Sequence, residues 1–262
     1  MFTSETLLKG HIPPGVKVGI GCNGSSAKVR DSVKGIEGYA TVYTDPEKLV
    51  NDLISGEIDA AVRGDMSSSV LLPLLKRKMG VPELERIVLL EPAGGKLVIA
   101  APVGIDEGWT VDQKYNLAIK SIGLMKKLGM GTRIAVMSGG RKDDIGRHPT
   151  VDNTIRDALE LVDRLNAEGY DAYHAEILIE DAVKDADLII APDGISGNLI
   201  FRTMHLIGGA LALGAPIINM QDKNLLLQKQ ENQFQTSKFM KVKISVQRLH
   251  FVATKCMTSW IN

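Results

Sequence analysis

Residues 187–198 read Asp187-Leu-Ile-Ile-Ala-Pro-Asp-Gly-Ile-Ser-Gly-Asn198. The apolar run Asp187 to Ala191 has the length of a buried strand, Pro192 and Gly194 break it, and the apolar face that follows Ser196 continues through Ala212 as a helix would. A strand that ends in a glycine turn and passes into a helix is half of a βαβ unit. Other apolar runs repeat the pattern: Val16 to Gly21, Ala40 to Tyr43, Ile58 to Val62, Ile87 to Leu90, Leu97 to Ala101 and Ile134 to Met137. Between them the spacing turns helical. From Asp152 to Glu168, Ile155, Ala158, Leu159, Val162 and Leu165 form one stripe while Arg156, Glu160, Asp163 and Arg164 face water, and Gly169 stops the run. Val111 to Leu128 stacks Ala118, Ile122 and Met125 and ends at Gly129. Val70 to Lys78 reads as a helix interrupted early by Pro73. Strands alternating with helices predict an α/β fold.

A chain of 262 residues holds one large unit or two modest lobes. With 44% hydrophobic and 24% charged residues it has the balance of a globular protein, which excludes disorder and collagen. Its formal charge is zero, so no general attraction to nucleic acid or an anionic bilayer is expected. Cys22 and Cys256 lie far apart with no cysteine–histidine cluster at zinc spacing, so neither a disulfide framework nor a metal site is expected. No run reaches the ~18 apolar residues of a membrane span, and Met1 to His11 lacks the apolar core of a signal peptide. The expected location is the cytoplasm. Composition changes after Met220: the last glycine is Gly214 and the last proline Pro216, and residues 221–262 carry a net charge of +5 against −5 for the remainder. That segment reads as a basic arm, a weakly ordered end or the product of a shifted reading frame.

Candidate sites gather at the carboxyl ends of the strands, where open α/β sheets bind ligands. Gly19-Ile-Gly21-Cys-Asn-Gly24 follows a strand in a GxGxxG pattern, with Asp45 where a ribose-binding acid would sit, although a plain turn and helix caps at Ser25 and Ser26 explain it equally. Arg63, Gly64, Ser67, Ser68 and Ser69 place a cation and three hydroxyls before a helix, an arrangement that holds an anion. Ser138, Gly139, Gly140 and Arg141 follow the strand Ile134 to Met137; Arg133, Lys142, Arg147 and His148 surround them, which suits a phosphate-bearing ligand, tempered by Asp143 and Asp144. Asp193, Ser196, Gly197 and Asn198 form the third such turn, where Asp193 would order the turn or handle a proton and Ser196 would cap the helix or touch substrate. The five histidines are scattered, and no Ser/His/Asp order follows from their spacing.

Met137-Ser-Gly-Gly-Arg141, the helix from Val151 to Glu160, Asp187 to Asn198 and Gly208-Gly-Ala-Leu-Ala-Leu-Gly-Ala-Pro216 together resemble the phosphotransacetylase and phosphate butyryltransferase superfamily. Asp193, Ser196, Gly197 and Asn198 match its P-D-x-x-S/T-G-N motif. The stretch from Val16 to Met220 is similar to the MtxX family of methanogenic archaea, methanogenesis marker protein 4, which carries the label of a methyltransferase subunit. The resemblance implies a two-lobed α/β/α, isocitrate dehydrogenase-like fold with parallel-rich sheets and a cleft between lobes. Residues 1–95 with 215–262 would form the first lobe and 96–214 the inserted second. It also implies thiolate attack of coenzyme A on an acyl phosphate, with arginines neutralising phosphate and a carboxylate assisting proton transfer. Two departures bear on that chemistry. Nothing between Met220 and Asn262 matches the superfamily's S-R-G-x-x-x-x-D element, and Leu72 stands where its enzymes carry an arginine before the proline.

On these grounds the expected ligand is a small anionic, phosphate-bearing substrate such as an acyl phosphate or coenzyme A. In the cleft between lobes, Arg63, Arg141 and Arg147 would hold phosphate with Gly64, Ser67 to Ser69, Ser138 to Gly140 and Gly197, and Asp193, Ser196 and Asn198 would serve the chemistry. A transferase leads. A ligand-sensing or complex subunit without turnover is the alternative, and a nucleotide-binding oxidoreductase the third reading. Methyl transfer comes from the family label alone, since no cobalamin-binding D-x-H-x-x-G element is present. Partners would be a second copy, as in superfamily relatives, or a methyltransferase complex; neither a nucleic acid nor a membrane is expected.

Overall fold

The computed structural model describes residues 2–8, 15–24, 26–34 and 36–220, so Ser25 and the basic segment 221–262 lie outside the described residues. The elements are α1 (Ser4–Leu8), β1 (Val18–Gly21), α2 (Ala27–Val33), β2 (Ala40–Tyr43), α3 (Pro46–Ser55), β3 (Ala60–Val62), α4 (Ser68–Met79), β4 (Val88–Glu91), β5 (Val98–Ala101), α5 (Val111–Leu128), β6 (Ile134–Met137), α6 (Pro149–Ala167), β7 (Ala172–Glu176), α7 (Ile179–Asp185), β8 (Leu188–Ile190), α8 (Gly194–Arg202) and β9 (Leu211–Ala212). The fold is α/β with parallel-rich sheets. By its contacts the chain divides into two compact units, one taking the described residues of 8–84 and the other those of 1–7 and 85–219.

The smaller unit is a three-stranded parallel sheet in the order β2-β1-β3. All four residues of β1 are buried, and Val16, Val18, Ile20, Cys22, Val29, Val33, Ile36 and Ala60 form one apolar core. Asp45 caps α3 by accepting from Glu47 N at 2.8 Å, and Gly56 closes that helix at φ +83°. α4 runs unbroken through Pro73. Proline at the sixth position removes one main-chain bond close to the amino end, and buried Leu71, Leu74, Leu75 and Met79 hold the helix on its core.

The larger unit is a six-stranded sheet in the order β7-β6-β8-β5-β4-β9. β5, β6, β7 and β8 are parallel, while β4 runs antiparallel to both β5 and β9. Every residue of β5, β6 and β8 is buried, as strands covered by helices on both faces require. α5 starts at a reciprocal cap between Thr110 and Gln113, ends at Gly129 with φ +74°, and turns Leu117, Ala118, Ile122, Leu124 and Met125 inward. It packs on α6. The right-handed sense of such crossovers places α7 and α8 on the opposite face.

Two expected helix boundaries also need correction. The helix expected from Asp152 begins at Pro149, because the His148 ring caps it by accepting from Thr150 N at 3.1 Å. The helix expected to reach Ala212 ends as α8 at Arg202, continues as a wider π turn over Thr203–Ile207, and gives way at Gly208 to β9. β9 was hidden because its two residues are as apolar as the helix before them. β7 also escaped the apolar-run reading: Ala-Tyr-His-Ala-Glu is an edge strand with half-exposed polar side chains. No helix among the described residues is long and apolar enough to cross a membrane.

Candidate functional site

In the larger unit β6 connects outward to the edge strand β7, whereas its neighbour β8 connects the other way, to β9. Adjacent strands whose connections diverge leave a crevice at their carboxyl ends. Ser138 to Arg141 leave β6 on one side of that crevice and Asp193 to Asn198 leave β8 on the other. Two of the three expected glycine turns are therefore neighbours. Arg63 to Ser69 belong to the smaller unit.

The β8 turn is built for close packing. Asp193 caps α8, accepting from Ser196 N at 2.8 Å, and Gly194 N donates to Glu107 O at 3.0 Å. A side chain at Gly194 would overlap the Gly104 carbonyl, and one at Gly197 the Pro102 carbonyl. Asn198 Nδ2 donates to Val103 O at 2.9 Å. Gly194, Gly197 and Asn198 thus seat α8 on the turn that follows β5. Of the first-turn amides of α8, that of Ile195 has no partner among the described residues, and the Ser196 hydroxyl also makes no hydrogen bond there. Both lie at the positive end of the helix dipole.

The β6 turn is held from three sides. Ser138 N donates to Glu176 O at 2.8 Å, Gly139 N to Thr154 Oγ1 at 2.8 Å, and Lys142 N to Glu176 Oε1 at 3.1 Å. Arg141 N donates to Asp144 Oδ2 at 2.8 Å, and Arg147 pairs with the same carboxylate, whose pKa is lowered by the Arg141 main-chain bond and then by Arg147. Arg147 therefore has an acid for a partner already. Among the described residues the Gly140 amide, on a buried residue, has no hydrogen-bond partner, and the side chains of Arg141 and Lys142 are exposed. Arg133, counted among the surrounding cations, sits at the amino end of β6 with Asp185 at 3.0 Å and Asp171 at 3.7 Å. The strand's length separates it from the turn.

Buried charges lie against the β8 turn. Lys114, in register with Ala118 and Ile122 on the buried face of α5, places Nζ 3.2 Å from Pro192 O and 3.2 Å from Asp157 Oδ2. A lysine inside an apolar stripe was the sequence signal for it. Glu107, 1% exposed, accepts from Arg86 N at 2.9 Å and pairs with the Arg86 guanidinium, which also meets Asp106. Burial pushes its carboxyl pKa up, and the Arg86 charge opposes that. A concavity of about 540 Å³ between Ile145 and α6 is lined by the carboxylates of Asp152, Glu160 and Asp163 against one cation, Arg156, an excess of negative charge that disfavours an anion.

In the smaller unit the β1 and β3 turns lock together. Asn23 N donates to Asp65 Oδ1 at 2.6 Å, and a side chain at Gly64 (φ +57°) would overlap Gly21 O. A Cβ at Gly19 would lie 2.6 Å from Ile58 and Leu49. Packing thus accounts for Gly19 and Gly21, and Asp45 is a helix cap. Arg63 Nη1 donates to Met66 O at 2.6 Å, and burial lowers its pKa. Ser67 and Ser69 share a hydroxyl bond of 2.7 Å at the start of α4. No group of three or more His, Cys, Asp or Glu suited to a metal occurs among the described residues.

The fold is that of the phosphotransacetylases. A branched-chain phosphotransacylase of Enterococcus faecalis superposes with a TM-score of 0.61 at 14% identity, over 92% of this chain and 99% of the other. A phosphotransacetylase of Streptococcus pyogenes gives 0.60 at 15% identity, over 95% and 99%. Sequence relatives narrow the class. The chain is 36% identical over 217 residues to a protein of Methanocaldococcus jannaschii named an uncharacterized methyltransferase, covering 79% of this chain and 86% of that one. It is 45% identical over 175 residues to the "Putative methyltransferase mtx subunit X" of Methanosarcina mazei, covering 66% of this chain and 62% of that one. The chain belongs to this family of methanogen proteins. No family model matches it.

Proposed function

We propose that the chain binds a phosphate-bearing ligand, of acyl phosphate or coenzyme A type, in the crevice between β6 and β8, as a member of a transferase family. The observation that carries this reading is the set of main-chain donors without a hydrogen-bond partner among the described residues: the amide of Gly140, a buried residue, on one side, and the Asp193 and Ile195 amides, with the Ser196 hydroxyl, on the other. Arg141 supplies the neutralising charge. Arg63 and Ser67 to Ser69 make a second anion-binding element in their own unit. The names of the relatives add methyl transfer and membership of a complex; no residue here is assigned to a methyl donor.

Binding without turnover is the second reading, and one observation favours it: an Asp193 carboxylate oxygen is engaged as the α8 cap rather than left for a proton. Calorimetric titration with coenzyme A and with acetyl phosphate, followed by a coupled assay with both, separates the two. Either ligand is expected to bind. Arg141→Ala should weaken that binding about 10- to 100-fold, the worth of a charge-assisted phosphate contact. Formation of acetyl-coenzyme A that Arg141→Ala abolishes supports catalysis; binding with no product supports the sensing subunit; no binding of either ligand sinks both.

A further inference from the structure

The least expected contacts in the larger unit come from the edge strand. The Ser138 hydroxyl, buried at 1% exposure, lies 2.7 Å from Gly140 O and 2.8 Å from His174 Nε2. A hydroxyl has one proton to give; with that proton on the Gly140 carbonyl, Ser138 accepts from Nε2–H and the buried Nδ1 of His174 has no hydrogen-bond partner. Burial lowers the pKa of His174, Glu176 opposes that and Lys142 adds to it, and the net lowering favours the neutral ring.

Glu176 adds a second observation on the same strand. Its φ is +56°, and among the described residues no other non-glycine side chain occupies the left-handed region. Backbone held against its preference persists where the surroundings impose it, and such positions cluster at ligand clamps. Here a register shift between β6 and β7 accompanies it: Val136 pairs with His174, but Met137 pairs with Glu176. The shift sets Glu176, in place of Ala175, opposite Met137, where its carbonyl meets Ser138 N and its side chain meets Lys142 N. His174 and Glu176 thereby hold both ends and the middle of the turn whose leftover donor is Gly140 N–H.

We propose that His174 and Glu176 are positioning residues that keep the Ser138–Lys142 turn in its anion-receiving form, His174 through the Ser138 hydroxyl and Glu176 through two main-chain amides. The word anion-receiving rests on the reading of the crevice given above; the bracing itself does not. Amide hydrogen exchange followed by NMR on the intact chain tests it without a ligand. Glu176→Ala should speed exchange at Lys142 about tenfold, the loss of one hydrogen bond, while Ser138, bonded to the main-chain carbonyl of Glu176, stays protected. Glu176→Gln keeps an acceptor and should restore Lys142. His174→Phe should loosen the turn by a similar factor, and His174→Gln, which returns a nitrogen near Nε2, should recover most of the protection. Affinity for inorganic phosphate should fall in step with exchange across the four variants. Lys142 exchanging as in the unchanged protein after Glu176→Ala, or Phe and Gln behaving alike at position 174, would overturn the proposal. If His174→Phe does not fold, the Glu176 pair decides. An unchanged protein that binds no phosphate counts against the crevice reading, and exchange still judges the brace.

Discussion

Lys114 carries a buried charge on the helix face that otherwise holds Leu117, Ala118 and Ile122, and its Nζ reaches the main chain just before Asp193. Lys114→Met keeps the aliphatic stem and strands both acceptors, so it should cost about 1.5–3 kcal/mol by denaturant unfolding, in the range of hydrogen bonds to charged groups. Arg86→Met should cost more, about 3–5 kcal/mol, because it leaves the buried Glu107 carboxylate unpaired. The pH dependence of that loss has a fixed sign. A carboxyl whose folded pKa is raised contributes stability that is full below its unfolded value and is lost as pH rises through the folded value. The deficit of Arg86→Met should therefore shrink as pH falls toward 4.5, and a deficit that grows on acidification would contradict the assignment. Gly64→Ala meets two obstacles, a left-handed φ and the Gly21 carbonyl, and should destabilise the smaller unit by about 1–3 kcal/mol in thermal melts.

At the scale of elements, the reciprocal cap at Thr110 fixes where α5 begins, and Thr110→Ala should lower stability by about 1 kcal/mol without moving ligand affinity. How much of the architecture was legible in the sequence follows from the same logic. Buried parallel strands are continuous apolar runs, so β1, β5, β6 and β8 announced themselves, and glycine ended α5 where periodicity said it would. β7 did not, since an edge strand with Tyr173, His174 and Glu176 half-buried has no apolar run to display. The residues that brace the β6 turn sit on that strand. Asp193, Gly194 and Asn198 were legible as a turn because composition reports backbone geometry; their packing onto Pro102 to Glu107 was not, because it depends on which strand lies beside β8. The ion pairs of Arg147 and Arg133 were not legible for the converse reason: sequence shows a cation but not the aspartate beside it.

For the molecule as a whole, the chain forms two α/β units, has a phosphotransacetylase fold and belongs to a methanogen family, and the crevice proposed for the ligand lies in the larger unit. The turns satisfy most of their own polar groups, and the donors left over flank one switch point in the sheet. The most direct measurement follows the backbone amides by NMR while inorganic phosphate, then coenzyme A, is titrated into the intact chain. The Gly140 and Ile195 amides should shift in a saturable manner with a shared affinity, ahead of the amides already bonded within the turns. Saturable shifts confined to other surfaces, with Gly140 and Ile195 unmoved, would contradict the assignment of the crevice.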